Sequence, residues 1–410
     1  MGSAMRTWSS GVVSWILCSA LGAACAAGGD GGKAAGAAPT PITAAAAGAD
    51  GGGVVIGERM VLRSQVLGEA RTLLIYRPPP ERPDSRYPVV YLLDGEAHFH
   101  HVTGLVQFLM QTGRMPRVIV VGVANVDRTR DFTPTHVSEA DTSGGADRFL
   151  VFLAKELIPA VEAAYPTARY RVLIGHSLGG LFAIHALNQM PDLFDATIGI
   201  SPSLAWVGDP IRQRTESVLA TRPAFDRVLY FAVGKEPDDM TGSNRAYARM
   251  LTARAPRGFR WLFEEMPAED HGSIVHRAVY RGLEHVFAGW GPPAAPASLA
   301  EVEAHYAALS ARFRMTVVVP EDALNALGYR LLAAGQVDQG VAALRRNSEL
   351  HPESANVHDS LGEALERKGD LAGAVKSHEM AVKNAALNGD PRLQTYKDRL
   401  DRAREKAKTR

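Results

Sequence analysis

Three stretches in the first half of the chain, 89–93, 118–123 and 172–174, are apolar without interruption and rich in Val, Ile and Leu. A strand with one wet face alternates apolar and polar residues, so unbroken β-branched runs predict strands covered on both faces. Between the last two runs, Phe149, Phe152, Leu153, Leu157, Ile158 and Val161 recur at helical spacing, which predicts a helix over 148–165. A second helix-compatible run covers 181–190. Residues 58–78 alternate loosely around Gly68 and predict two antiparallel opening strands. Further strands are predicted at 196–200, 228–233 and 260–263. Strands alternating with helices predict an α/β fold built on a mainly parallel sheet.

The pattern changes after Pro292, Pro293 and Pro296. One amphipathic helix is predicted over 299–316, and no strand run follows Val319. Instead the sequence repeats at an offset of 34: Leu327-Gly328 matches Leu361-Gly362, Leu331 matches Leu365, Gly335 matches Gly369 and Val341 matches Val375. Pro352 closes the first unit, and 393–410 supplies a closing helix. These positions resemble tetratricopeptide repeats, which implies a small all-α unit able to hold a protein partner.

Charge and cysteine content narrow the function. Forty-five Lys and Arg balance 44 Asp and Glu, a formal net charge of +1, so no overall field favours nucleic acid or an anionic membrane. The two cysteines, Cys18 and Cys25, both lie near the start, which removes thiol catalysis and cysteine zinc sites from the rest of the chain. Around them the chain has one early basic residue, a small-residue apolar run over 11–24 and Ala24-Cys25-Ala26, the pattern of a signal-peptidase site. Export to the periplasm or medium is expected; the alternative is a lipoprotein, attached to a membrane only through Cys25. The expected division is 1–26 leader, 27–53 Ala/Gly-rich linker, 54–292 catalytic α/β domain, 293–319 connecting helix and 320–410 helical repeats with their closing helix.

The chemistry centres on Gly175-His176-Ser177-Leu178-Gly179-Gly180, a G-x-S-x-G between a buried strand and a predicted helix. A nucleophile on so tight a turn needs flanking glycines, and a serine hydroxyl needs a histidine to take its proton. His271, following the last predicted strand, is the expected base, with His276 and His285 as rivals. The acid is expected after the strand at 228–233, where Glu236 is best placed and Asp238 and Asp239 are alternatives. Developing oxyanion charge needs fixed N–H donors, expected from Leu178 and from Gly95 in the loop after the third strand. Arg128 and Arg130 are expected at the sheet edge facing substrate. His98, His100 and His101 lack a carboxylate or cysteine set, so no metal is expected.

Together with 87–96, 130–134, Ser201-Pro202-Ser203-Leu204-Ala205-Trp206 and His271-Gly272-Ser273, this motif resembles the esterase family of α/β-hydrolases. That family includes siderophore esterases, S-formylglutathione hydrolases, feruloyl esterases and mycolyltransferases. The resemblance covers roughly 58–290 and is nearest to the siderophore-esterase branch. It implies a cofactor-independent serine esterase acting on a small-molecule ester through an acyl-enzyme, with Ser177 and His271 as nucleophile and base and Trp206 at the substrate. The rival expectations are a non-catalytic scaffold working through its repeats and an acyltransferase of the mycolyltransferase type.

Overall fold

The computed structural model describes residues 54–409 except Glu81 and Asp209; the leader and linker assigned to 1–53 lie outside the described residues. Eight strands form one sheet: β1 (Glu58–Ser64), β2 (Glu69–Tyr76), β3 (Tyr87–Leu92), β4 (Ile119–Val123), β5 (Thr167–His176), β6 (Ala196–Ile200), β7 (Val228–Val233) and β8 (Arg260–Glu265). Their order is β1-β2-β4-β3-β5-β6-β7-β8. β1, β2 and β4 pair antiparallel, and β4, β3 and β5 through β8 run parallel. Gly68 turns the opening hairpin at φ 74°, a conformation with no steric penalty for a residue lacking Cβ.

Both faces of the sheet are covered, as the unbroken runs predict. Val90, Leu92, Val120, Val172 and Ile198 point to the face covered by α1 (Gly95–Gln111) and, later in the chain, by the helix Ile274–Val286. Tyr91, Leu93, Val121 and Leu173 point the other way, beneath α2 (Arg128–Phe132), α3 (Ala146–Phe152), α4 (Ile158–Ala164) and α5 (Leu178–Gln189). α6 (Pro210–Ala220) and α7 (Asp238–Arg254) extend that layer over β7, and Ile274–Val286 is α8.

The sequence predicts a single regular helix over 148–165. The structure instead places a wide π-helical turn, Leu153–Leu157, between α3 and α4. Pro159 explains it, because its ring has no N–H to donate and would collide with the carbonyl four residues back. β5 also starts five residues before the predicted run, since Arg169 and Arg171 break the apolar pattern where the strand nears solvent.

After β8 and α8 the chain is helical: α9 (Leu299–Phe313), α10 (Glu321–Ala333), α11 (Val337–Leu350), α12 (Ala355–Lys368), α13 (Leu371–Asn388) and α14 (Leu393–Lys408). α9 stops short of the predicted 316 because Arg314 turns left-handed at φ 49° and the Ser310 hydroxyl takes the Val317 N–H. The starts of α10 and α11 recur at α12 and α13 with the predicted offset of 34. Gly328 lies against Leu344, and Gly362 lies against His378. A Cβ on either glycine would come within 2.6 Å of its neighbour, so the absence of a side chain lets the paired helices close up.

The helices are joined to the sheet by its own core. Val302, Tyr306, Leu309 and Phe313 of α9 are buried in one apolar cluster with Tyr170, Val279 and Phe287. Arg312 caps α8 by donating to the carbonyls of Val286 at 2.7 Å and Ala288 at 2.6 Å. No helix among the described residues is long and apolar enough to cross a membrane.

Candidate active site

The chain reverses direction across the sheet at β3, whose neighbours are β4 on one side and β5 on the other. Ligands of open α/β sheets gather at the carboxyl ends of strands at such a switch point. Ser177 stands there, between β5 and α5, with φ 59° and ψ −118°. That backbone is strained for a residue with a side chain, and neighbouring contacts hold it. The Ser177 N–H donates to the Ile200 carbonyl at 2.9 Å, and its own carbonyl accepts from Leu181 at 3.0 Å and Ser203 at 3.2 Å. A Cβ on Gly175 would lie 2.1 Å from the Gly179 carbonyl oxygen, so the turn closes only over a glycine. Among the described residues the Ser177 hydroxyl bonds to Ser203 Oγ, at 3.5 Å.

His271 lies in the loop between β8 and α8. Its Nδ1 is 2.9 and 3.0 Å from the two carboxylate oxygens of Glu236. Because a carboxylate accepts, this contact assigns the proton to Nδ1 and leaves Nε2 as the basic nitrogen. The Glu236 side chain is 2% exposed, whereas the imidazole is 40% exposed and open to a reactant. The loop is fixed from several sides. Lys235 donates its N–H to the Glu269 carbonyl at 2.7 Å, and the Asp270 carboxylate accepts from the N–H groups of Gly272 and Ser273. Those bonds hold the Asp270 carboxyl below its usual range.

The three carboxylates open in the sequence differ in placement: Glu236 reaches His271, whereas Asp238 and Asp239 begin α7 on the first helical turn. The rival histidines also separate. His276 packs its ring 5.4 Å from His101, and His285 packs against Tyr230 at the far end of α8. Leu178 begins α5, where first-turn N–H groups have no partner within the helix. Gly95 begins α1, and a Cβ there would lie 2.6 Å from the Gly122 backbone and 2.8 Å from the Val123 nitrogen.

Arg128 and Arg130 are engaged with protein carboxylates. Arg128 donates through Nε to Asp94 at 2.6 Å and through Nη2 to the His176 carbonyl at 3.0 Å. Arg130 pairs with Glu69 at 2.7 Å and Asp131 at 2.8 Å, beside the buried Arg71–Asp131 ion pair. Trp206 is half-buried, with its indole N–H on Thr135 Oγ1 at 3.1 Å. Of the three histidines on α1, His98 and His101 face each other, Nδ1 to Nε2, at 3.2 Å. Burial pushes the His98 pKa down, and burial with neighbouring imidazoles pushes that of His101 down to about 4.

Ser201 is a site residue that sequence reasoning missed. It follows β6 in the left-handed region, φ 39°, is fully buried and donates its hydroxyl to Glu236 Oε1 at 2.6 Å. Its N–H is fixed on the Ala232 carbonyl at 2.7 Å, and Asn244 holds the Pro202 carbonyl at 2.9 Å. The Ser-Pro-Ser triplet after a buried strand is a visible signal, but nothing in it says that the hydroxyl turns toward a carboxylate in the loop after the next strand.

The Esterase family model, described as Putative esterase, matches residues 64–274. The chain is 30% identical over 247 residues to the ferri-bacillibactin esterase BesA of Bacillus subtilis, covering 54% of this chain and 86% of that protein. It is 33% identical over 240 residues to a siderophore triacetylfusarinine C esterase of Aspergillus fumigatus, covering 50% and 82%. The crystal structure of an IroE-like serine hydrolase from Shewanella oneidensis superimposes with a TM-score of 0.63 at 31% identity, over 72% of this chain and 99% of that one. With the eight-stranded sheet and its C-terminal helices, these likenesses make the protein an esterase with an α/β-hydrolase fold, a member of this esterase family.

Proposed function

We propose that the protein hydrolyses small or medium acyl esters of the siderophore type, with Ser177 as nucleophile, His271 as base and Glu236 as acid. The carrying observation is the strained Ser177 turn, whose His176 meets the His271 backbone at 2.8 Å, together with the buried carboxylate that holds the His271 Nδ1 proton. In this reading Ser177 Oγ attacks the acyl carbon while His271 Nε2 takes its proton. The N–H groups of Leu178 and Gly95 hold the oxyanion. The alcohol leaves with the proton from His271, giving an acyl-Ser177 ester. Water, deprotonated by the same nitrogen, then releases the acid and restores the serine. Ester linkages in the named substrates of the two curated relatives support the siderophore class. Trp206 is retained as a substrate contact, whereas the carboxylate partners of Arg128 and Arg130 favour a structural part for both.

The test measures hydrolysis of p-nitrophenyl esters, a siderophore triester and a feruloyl ester, with fluorophosphonate labelling alongside. Wild type should turn over and label, and Ser177→Ala should do neither. Equal activity in both overturns the reading.

We further infer that the hairpins α10–α11 and α12–α13 act as tetratricopeptide-like units for a protein partner, supported by their common offset and their glycine contacts. Export, with Cys25 as the candidate lipid anchor, is supported by the leader pattern. Labelling intact cells with a membrane-impermeant reagent checks it, because an internal enzyme stays unlabelled.

A further inference from the structure

The nucleophile and the base sit on different elements, with β6 and β7 between β5 and β8. Their mutual placement therefore depends on whatever ties the His271 loop to the nucleophile strand. The bonds described above tie that loop to itself and to the end of β7. Among the described residues, one hydrogen bond ties it to β5: His176 Nε2 to the carbonyl oxygen of His271, at 2.8 Å. The two imidazoles also pack together, centroids 4.6 Å apart and inclined at 45°.

We propose that His176 is a positioning residue whose Nε2–H holds the backbone of His271 and so sets its imidazole beside Ser177. A carbonyl can only accept, so the bond fixes the Nε2–H tautomer of His176. The ring is braced in turn. Its own carbonyl accepts from Arg128, which is anchored on buried Asp94, and His98 packs edge-on at 5.9 Å. Burial, then the His271 and His98 imidazoles and Arg128, opposed by Asp94, push the His176 pKa down to about 3. The residue thus stays uncharged beside His271, which must carry a positive charge during turnover. The residue before the serine in G-x-S-x-G is accordingly a structural link in this chain.

The inference rests on the proposed roles of Ser177 and His271, and the test separates the two. Full-length wild type, Ser177→Ala, His176→Phe and His176→Gln are compared on p-nitrophenyl butyrate and by fluorophosphonate labelling rate, with melting temperature as a folding control. His176→Phe keeps the ring and loses the donor; kcat and labelling should fall about 10- to 100-fold, the scale of a small misplacement of a reacting group. KM should change little. His176→Gln, which restores an N–H donor, should recover most of the loss. Wild-type kcat and labelling in His176→Phe, with Ser177→Ala inactive, overturns this inference alone; activity in Ser177→Ala overturns the underlying reading. Nitrogen-15 histidine spectra of wild type need no variant: the Nε2–H tautomer is expected, and an Nδ1–H tautomer for His176 overturns the proposal.

Discussion

Glu236 holds the imidazole of His271 through both carboxylate oxygens, at 2.9 and 3.0 Å, while accepting a third bond from Ser201 at 2.6 Å. A carboxylate gripped on two sides has little freedom to rotate away from the imidazole. Replacing it should therefore damage turnover more than binding. Glu236→Gln is expected to lower kcat by at least about 100-fold with KM little changed, because an amide leaves the tautomer of His271 unspecified. Ser201→Ala should cost less, about 10-fold, since His271 still finds the carboxylate. Steady-state kinetics of the two variants checks the ranking, and an unaffected Glu236→Gln contradicts it.

The Ser177 turn has no room for a methyl group at Gly175. Gly175→Ala would drive Cβ to 2.1 Å from a backbone oxygen, which no side-chain rotation relieves. Loss of both esterase activity and fluorophosphonate labelling is expected, together with a lowered melting temperature.

Arg71 and Asp131 are each 1% exposed and paired with one another. Removing one partner strands a buried charge, which typically costs about 3–5 kcal/mol. Asp131→Ala should lose stability on that scale in urea denaturation. A change below about 1 kcal/mol would mean that Glu69, the other carboxylate on Arg71, suffices to neutralise it.

His176 and His101 bind protons less readily in the folded protein than in the unfolded chain, at about 3 and 4 against an ordinary value near 6.5. Between those values the unfolded chain holds more protons, so acid favours unfolding. Stability should be fully present above pH 6.5 and decline as the pH falls toward 4. Denaturation midpoints at pH 7.5 and 5 test this, and His101→Gln should flatten the decline.

Phe313 is fully buried among Tyr170, Phe287 and Trp290, with ring centroids 4.9, 5.5 and 5.6 Å away. Truncation to alanine should cost about 3–5 kcal/mol. Ending the chain at Pro293 should expose the same surface and give insoluble protein, as sedimentation after expression would reveal.

Much of this was legible before any coordinates. β6 and β7 have the predicted bounds because apolar runs of 5 and 6 residues with β-branched or aromatic members are too short for a buried helix. Ser177 and His271 stand out as candidates because their order along the strands constrains where each can lie, whereas the choice of Glu236 over Asp238 and Asp239 comes from its contact with His271. What escaped was set by contacts between distant segments. The hydroxyl of Ser201 points at Glu236 because of a left-handed backbone, and sequence carries no clear mark of that in a residue other than glycine. Arg128 and Arg130 look like free cations at a sheet edge until Asp94, Glu69 and Asp131 are seen beside them.

The offset of 34 that aligns Gly328 with Gly362 also aligns Leu344 with His378. One hairpin thus closes on an oily plug and the other on a buried imidazole that meets Asp359 at 3.1 Å, a carboxylate also gripped by Arg399 of α14. The two units share a blueprint but cannot trade places. A leucine put at 378 would leave Asp359 to Arg399 alone, and a histidine put at 344 would find no acid at the matching position, where the first hairpin has Asn325. The order of the array is written into its seams, so copying either unit to lengthen it would require new partners for each seam.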